Sequence, residues 1–222
     1  MSNVLVIAPH PDDEVLGVGG TILRHLDIGD AVHVVICTRG EESRFGNEQV
    51  ARVQKEARDV HAFLGLTGSH FLDLPAAMLD TVPGADLNVA VGGVFDAVKP
   101  DTVYVPHVGD VHRDHQLVFQ AAMVCSRPVG DGYPSRILAY ETVSETDWYA
   151  APMTPAFVPN VFVDISAYLD RKLEAFTMYA SQVRKAPDQR STEAIRALSV
   201  TRGHSMNMNH AEAFMLVREV TR

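Results

Sequence analysis

Four short apolar runs constrain this chain most: "NVLVIA" (3–8), "AVHVVICT" (31–38), "HFLDL" (70–74) and "DTVYVP" (101–106). Rich in Val and Ile and short, they read as strands of a buried parallel sheet. Between them lie stretches of helical character: residues 13–26, stopped near Gly29; residues 48–65, ending on Gly65; a glycine-weakened segment at 85–98; and residues 113–125. Such alternation calls for crossover connections and a mainly parallel sheet with helices on both faces. The expected fold is α/β, a single-domain three-layer Rossmann-like arrangement over residues 1–222. A chain of 222 residues buries about 70% of its unfolded surface, ample for its own core.

The second half is less regular. "RILAYE" and "NVFVDI" read as strands, residues 166–183 as one long amphipathic helix, and "EAFMLVREV" (212–220) as a final strand or a short helix. "RGEESRFGN" reads as a polar loop, and the Pro-rich "YAAPMTPAFVP" (149–159) as a surface excursion.

Parallel sheets bind ligands beyond the carboxyl ends of their strands. "APHPDDE" follows the first strand, "TRGEES" the second and "PHVGDVHRDH" the fourth, so three polar clusters converge on one rim. In the first, Asp12, Asp13 and Glu14 are consecutive acids at the end of a buried strand, where they repel one another and resist desolvation. A helix start explains one cap and one first-turn acid, but leaves His10 without a purpose. In the last, His112 and His115 stand three apart around Asp114, a spacing that aims both imidazoles at one cavity. The two clusters together make a site of nitrogen and oxygen donors only, and a divalent cation is the counter-charge the acids lack. Two histidines and a carboxylate suit catalytic zinc with an open position for water. The same donors serve ferrous iron, and the residues leave that choice open.

Charge excludes other classes. The net charge of −9, with no Lys/Arg run above two residues, argues against a nucleic-acid partner. No stretch approaches the ~18 consecutive apolar residues of a membrane span, and the N-terminus lacks a signal-peptide pattern, so a cytoplasmic protein is expected. Cys37 and Cys125 are expected as buried free thiols, outside any disulfide or thiolate site.

"PHPDDEVLGVGGTI" together with "HRDH" resembles the PIG-L/LmbE-like superfamily of zinc-dependent N-deacetylases. The likeness extends to "TRGEES", to Ser181-Gln182 as a late helix signature, and to "RGHSMNMNHAEAF" near the end. The resemblance implies His10, Asp13 and His115 as zinc ligands, Asp12 as general base and His112, as imidazolium, steadying the oxyanion. Asp114 would cap its helix or orient His112, and Glu14 would support the helix start rather than bind metal. Candidate substrate contacts are Arg44, Arg52 and Asp110. The implied partner is a small N-acylated molecule, the implied reaction removal of an N-acetyl or related group from an amino sugar or related metabolite. Relatives form homo-oligomers from dimers to hexamers, and no residue here selects among them.

Two positions depart from the sugar-acting pattern: Val53 stands where an arginine is common, three residues before Glu56, and Ala76 where an aspartate follows "LP". The substrate need not be plain N-acetylglucosamine. Two other readings stay open. A hydratase of an unsaturated dicarboxylic acid would draw its cations from Arg39, Arg44, Arg52 and Arg113. A metal-stabilised binding protein without turnover would leave Asp12 and His112 unexplained. Among other residues, Gly17, Gly19 and Gly20 fall inside a helix, which favours close packing over a nucleotide loop. His107 is placed to reach the rim, His204 and His210 to touch substrate or to sit in an ordinary loop, and His25, His33, His61 and His70 to pack or face solvent.

Overall fold

The computed structural model describes residues 1–150 and 152–221. Ala151, within the Pro-rich excursion, and Arg222 lie outside the described residues. The four apolar runs become β1 (Asn3–Ala8), β2 (Ala31–Arg39), β3 (Gly68–Pro75) and β4 (Thr102–Pro106). With β5 (Arg136–Tyr140), β6 (Val161–Asp164) and β7 (Ala211–Glu219) they form one seven-stranded sheet, ordered β3-β2-β1-β4-β5-β7-β6. The first five are mutually parallel, whereas β7 runs antiparallel between β5 and β6. "EAFMLVREV" is thus a strand, and it closes the sheet by pairing with β5 and β6.

Alternate strand residues feed two cores. Val4, Val6 and Ala8 face α1 (Asp13–Asp27), α3 (Asn47–Leu64), α6 (Leu169–Met178) and α7 (Thr192–His204). Leu5 and Ile7 face α4 (Gly84–Val98) and α5 (Arg113–Cys125). That is the three-layer α/β arrangement expected, with buried strands lined on both faces. Close packing explains the glycines of α1: a Cβ on Gly17 would run into the Tyr140 ring, and one on Gly20 would come 2.7 Å from Ile165.

Four expectations are corrected. The "RGEESRFGN" loop contains a single helical turn, α2 (Glu42–Phe45). The helix expected over 166–183 stops at Met178, because Glu56 captures the Ser181 amide at 3.2 Å and its hydroxyl, drawing the chain off the helical path. Ser181 and Gln182 therefore lie beyond the helix. An unanticipated α7 starts at Ser191, whose hydroxyl accepts the Ala194 amide at 3.2 Å. Cys125 is half-buried rather than buried, while Cys37 is sealed.

The chain folds outward in both directions from β1 and β4, toward β3 on one side and β5 on the other. At such a switch point the loops after the two strands part and leave a crevice. Among the described residues no helix is long and apolar enough to cross a membrane.

Candidate metal centre

His10 through Glu14 turn from β1 into α1 at that crevice, and 107–112 approach it from β4. Asp12 adopts a left-handed backbone, φ 105°, unusual for a residue with a side chain. Its carbonyl accepts the amides of Val15 and Leu16 at 3.0 and 2.9 Å, so the main chain opens the helix and the carboxylate is released toward the cavity. Neither acid uses its side chain as a cap. Glu14 enforces the turn: fully buried, it accepts the Asp12 amide at 3.1 Å and the Tyr179 hydroxyl at 2.6 Å.

His10, His112 and His115 gather with ring centroids 4.4 to 5.6 Å apart. Two overlapping donor sets lie within 4.8 Å: His10, Asp13 and His115, and His10, His112 and Asp114. The second is already committed to the fold. The Asp114 carboxylate accepts the amides of Ala77 (2.7 Å) and Leu79 (3.2 Å) and pairs with His10 Nε2 at 3.0 Å. His112 Nδ1 accepts the Asp114 amide at 3.1 Å, so the histidine caps α5; of the two readings for Asp114, capping the helix falls to His112 instead.

The first set is not closed. His115 Nδ1 is tied to Asp110 at 2.8 Å, while its Nε2 lies 3.2 Å from Asp13 Oδ2 without making a hydrogen bond. Asp13 Oδ1 is buried with no partner at all. Buried donor atoms without a partner cost free energy unless something occupies the gap. A divalent cation with nitrogen and oxygen preferences fits that gap, with Asp110 fixing the His115 ring as carboxylates do for ligating imidazoles. Without a cation only a proton can reconcile the pair. Burial opposes charge on both, yet Asp13 and Asp110 raise His115 to about 10, and His115 and His10 hold Asp13 well below the usual carboxylate range. Burial also works against charge on His10, but Asp114 and Asp13 overcome it and raise its pKa.

Asp12 and His112 differ in kind. Burial pushes Asp12 up to about 8, restrained by the Arg190 guanidinium 3.1 Å away. Burial, then His10, lowers His112 to about 4. With Nδ1 already accepting, His112 is a neutral ring with an Nε2–H to donate; the expected imidazolium is corrected.

His10, Asp12 and His112 form the floor of a cavity of about 260 Å³. Its walls include Phe45, Val50, Val53, Gln54, Ala76 and Ala77 on one side, and Glu145, Gln182 and Arg190 on the other. The three candidate substrate contacts fall outside this lining. Arg44 is exposed beside Glu41, Arg52 is bound to Glu56 at 2.9 Å, and Asp110 is sealed behind His115, where it also accepts the Thr146 hydroxyl at 2.7 Å. His107 points away and donates to the Pro155 carbonyl at 2.9 Å; His204 is exposed, and His210 pairs with Ser199.

Arg190 is the residue that sequence reasoning missed. It joins Asp12 to Gln182 at 3.1 Å and to Ser144 at 3.0 Å, and through Gln182, Ser181 and Glu56 the chain of contacts reaches Arg52. "SQ" was its only trace in the sequence, since the partners lie 178 residues apart.

The chain is 29% identical, over 83% of its length and 82% of the relative's, to the 1D-myo-inositol 2-acetamido-2-deoxy-alpha-D-glucopyranoside deacetylase of Rhodococcus jostii. Its fold matches the conserved protein TT1542 of Thermus thermophilus with a TM-score of 0.80 at 25% identity, covering 100% of this chain and 97% of that one. The 4-carboxy-2-hydroxymuconate hydratase GalB of Pseudomonas putida shares the fold at a TM-score of 0.76 and 21% identity, covering 100% and 99%. The family model for PIG-L, described as GlcNAc-PI de-N-acetylase, matches residues 5–126, which hold every donor of both sets, and the chain belongs to that family.

Proposed function

We propose that this chain is a metal-dependent hydrolase removing an N-acetyl or related N-acyl group from an amino sugar or related small metabolite. The observation that carries the reading is the unclosed set of His10, Asp13 and His115, with unpartnered buried atoms, directly beside the Asp12 carboxylate. His10, Asp13 and His115 would hold zinc, or ferrous iron. When bound, the ion supplies a Lewis acid and lowers the pKa of a water to about 7.

Asp12 then takes the proton of the attacking water and returns it to the departing amine nitrogen, so that the amide C–N bond breaks to an acid and an amine. A general base and acid of this kind contributes roughly 10²–10⁴ in rate. His112 donates its Nε2–H to the carbonyl oxygen as charge develops there, worth about 3–4 kcal/mol by analogy with other oxyanion donors. Asp110 keeps the His115 ring in its tautomer, Asp114 steadies His10, and Arg190 aims Asp12.

A dicarboxylate hydratase would need cations for two carboxylates. Among the described residues lining the cavity Arg190 is the only cation, and it is held by Asp12; Arg39, Arg44, Arg52 and Arg113 are all outside. A binding protein without turnover leaves the strained, inward-facing Asp12 idle. The test is Asp12→Asn with equal metal content by elemental analysis. Amine release from N-acetylated substrates falls by roughly 10²–10⁴; undiminished release, or addition of water to an unsaturated diacid, sinks the proposal.

A further inference from the structure

The cavity wall facing α3 carries a preference of its own. Val50 and Val53 present aliphatic surface, Ala76 and Ala77 close the wall with methyl groups from the turn after β3, and Phe45 stands at the mouth, 48% exposed. Gln54, deep in the wall, and Gln49, at its exposed edge, interrupt this surface. Gln54 is only 7% exposed and lines the cavity, and among the described residues no hydrogen bond holds its side-chain amide. An amide facing a cavity and held by no neighbour is free to bond what enters there.

We infer that the substrate presents a mainly hydrocarbon group to this wall, rather than a polyhydroxylated ring. The inference rests on the amide-hydrolysis reading above and narrows its substrate. A pocket of largely apolar lining with a few directed polar groups fixes orientation through those groups and gains affinity from the rest. Sugar hydroxyls pressed against Val53 and Ala76 would give up water and find no acceptor, because neither side chain has one. The hydrocarbon can belong to the acyl side of the amide or to the amine side; both offer the wall the same chemistry.

Three amides separate these cases: N-acetylglucosamine, N-acetyl-2-phenylethylamine (apolar amine side) and N-hexanoylglucosamine (apolar acyl side). Binding is measured by calorimetry to zinc-loaded Asp12→Asn, and turnover by amine release from wild type. At least one apolar-bearing amide is expected to bind ~10-fold or more tighter than N-acetylglucosamine and to show a correspondingly higher kcat/KM. Val53→Arg and, separately, Ala76→Asp shrink that ratio. N-acetylglucosamine binding as tightly as both others, or ratios untouched in both wall variants, overturns the inference. Preferential binding of an apolar amide with no hydrolysis of any of the three upholds the wall and defeats amide hydrolysis; hydrolysis led by N-acetylglucosamine does the reverse.

Discussion

Helix α1 touches two buried charge clusters, and they are built on opposite principles. Along its middle, Lys172 donates to Glu212 at 2.6 Å and to the Leu16 carbonyl at 2.8 Å, while Glu212 accepts the amides of Gly20 and Thr21. Both side chains are under a tenth exposed, and both carboxylate oxygens are satisfied. At its start, Asp13 and His115 are as deeply buried, yet Asp13 Oδ1 and His115 Nε2 have no hydrogen-bond partner. The first cluster is complete within the protein and serves to lock α6 and β7 to α1. The second is complete only with something added. Burial of charge therefore says little by itself; what sets the start of α1 apart is a carboxylate and an imidazole that face each other there without a hydrogen bond.

Substitutions can reverse or sharpen that contrast. His115→Gln opens the unclosed set: zinc per chain should fall below a tenth of wild type, and turnover by roughly 10³-fold or more, since several kcal/mol of charge stabilisation leave with the ion. Added zinc should raise the Tm of wild type and leave the variant unmoved; a variant that still takes up zinc and is still stabilised breaks the contrast. Lys172→Met opens the closed cluster and strands Glu212, a loss of about 3–5 kcal/mol in denaturant unfolding, with zinc uptake unchanged. Loss of zinc there, with stability intact, would invert the two roles.

The smallest effect is a pH signature. In metal-free protein His112 titrates at about 4 against 6.5 when unperturbed, through burial and then His10. Between those values the unfolded chain binds more protons, so the folded state loses stability as pH falls through the window. Stability of wild type minus that of His112→Gln, both metal-free, should decline from pH 7 to pH 4. A flat difference would mean the ring is not held neutral.

Much of this was legible in the primary structure because it is local. Continuous Val/Ile runs mark strands lined on both faces, and 10–14 with 112–115 carry every candidate ligand within two short segments. What escaped is long-range. Nothing in "APDQRSTEA" says that Arg190 reaches a carboxylate at the other end of the chain. Residues 179–183 continue a helical pattern, and only the distant Glu56 diverts them. Arg44 and Arg52 looked available as cations because their acidic partners, Glu41 and Glu56, were not weighed against them.

Asp114 has one carboxylate and three claimants: a ring on the cavity floor and two amides in the turn that shapes its wall. Floor and wall are consequently geared to each other. Redesigning residues 76–79 to admit a different guest would also re-aim His10, so altered substrate range and diminished turnover should arrive together unless Asp114 keeps all three bonds.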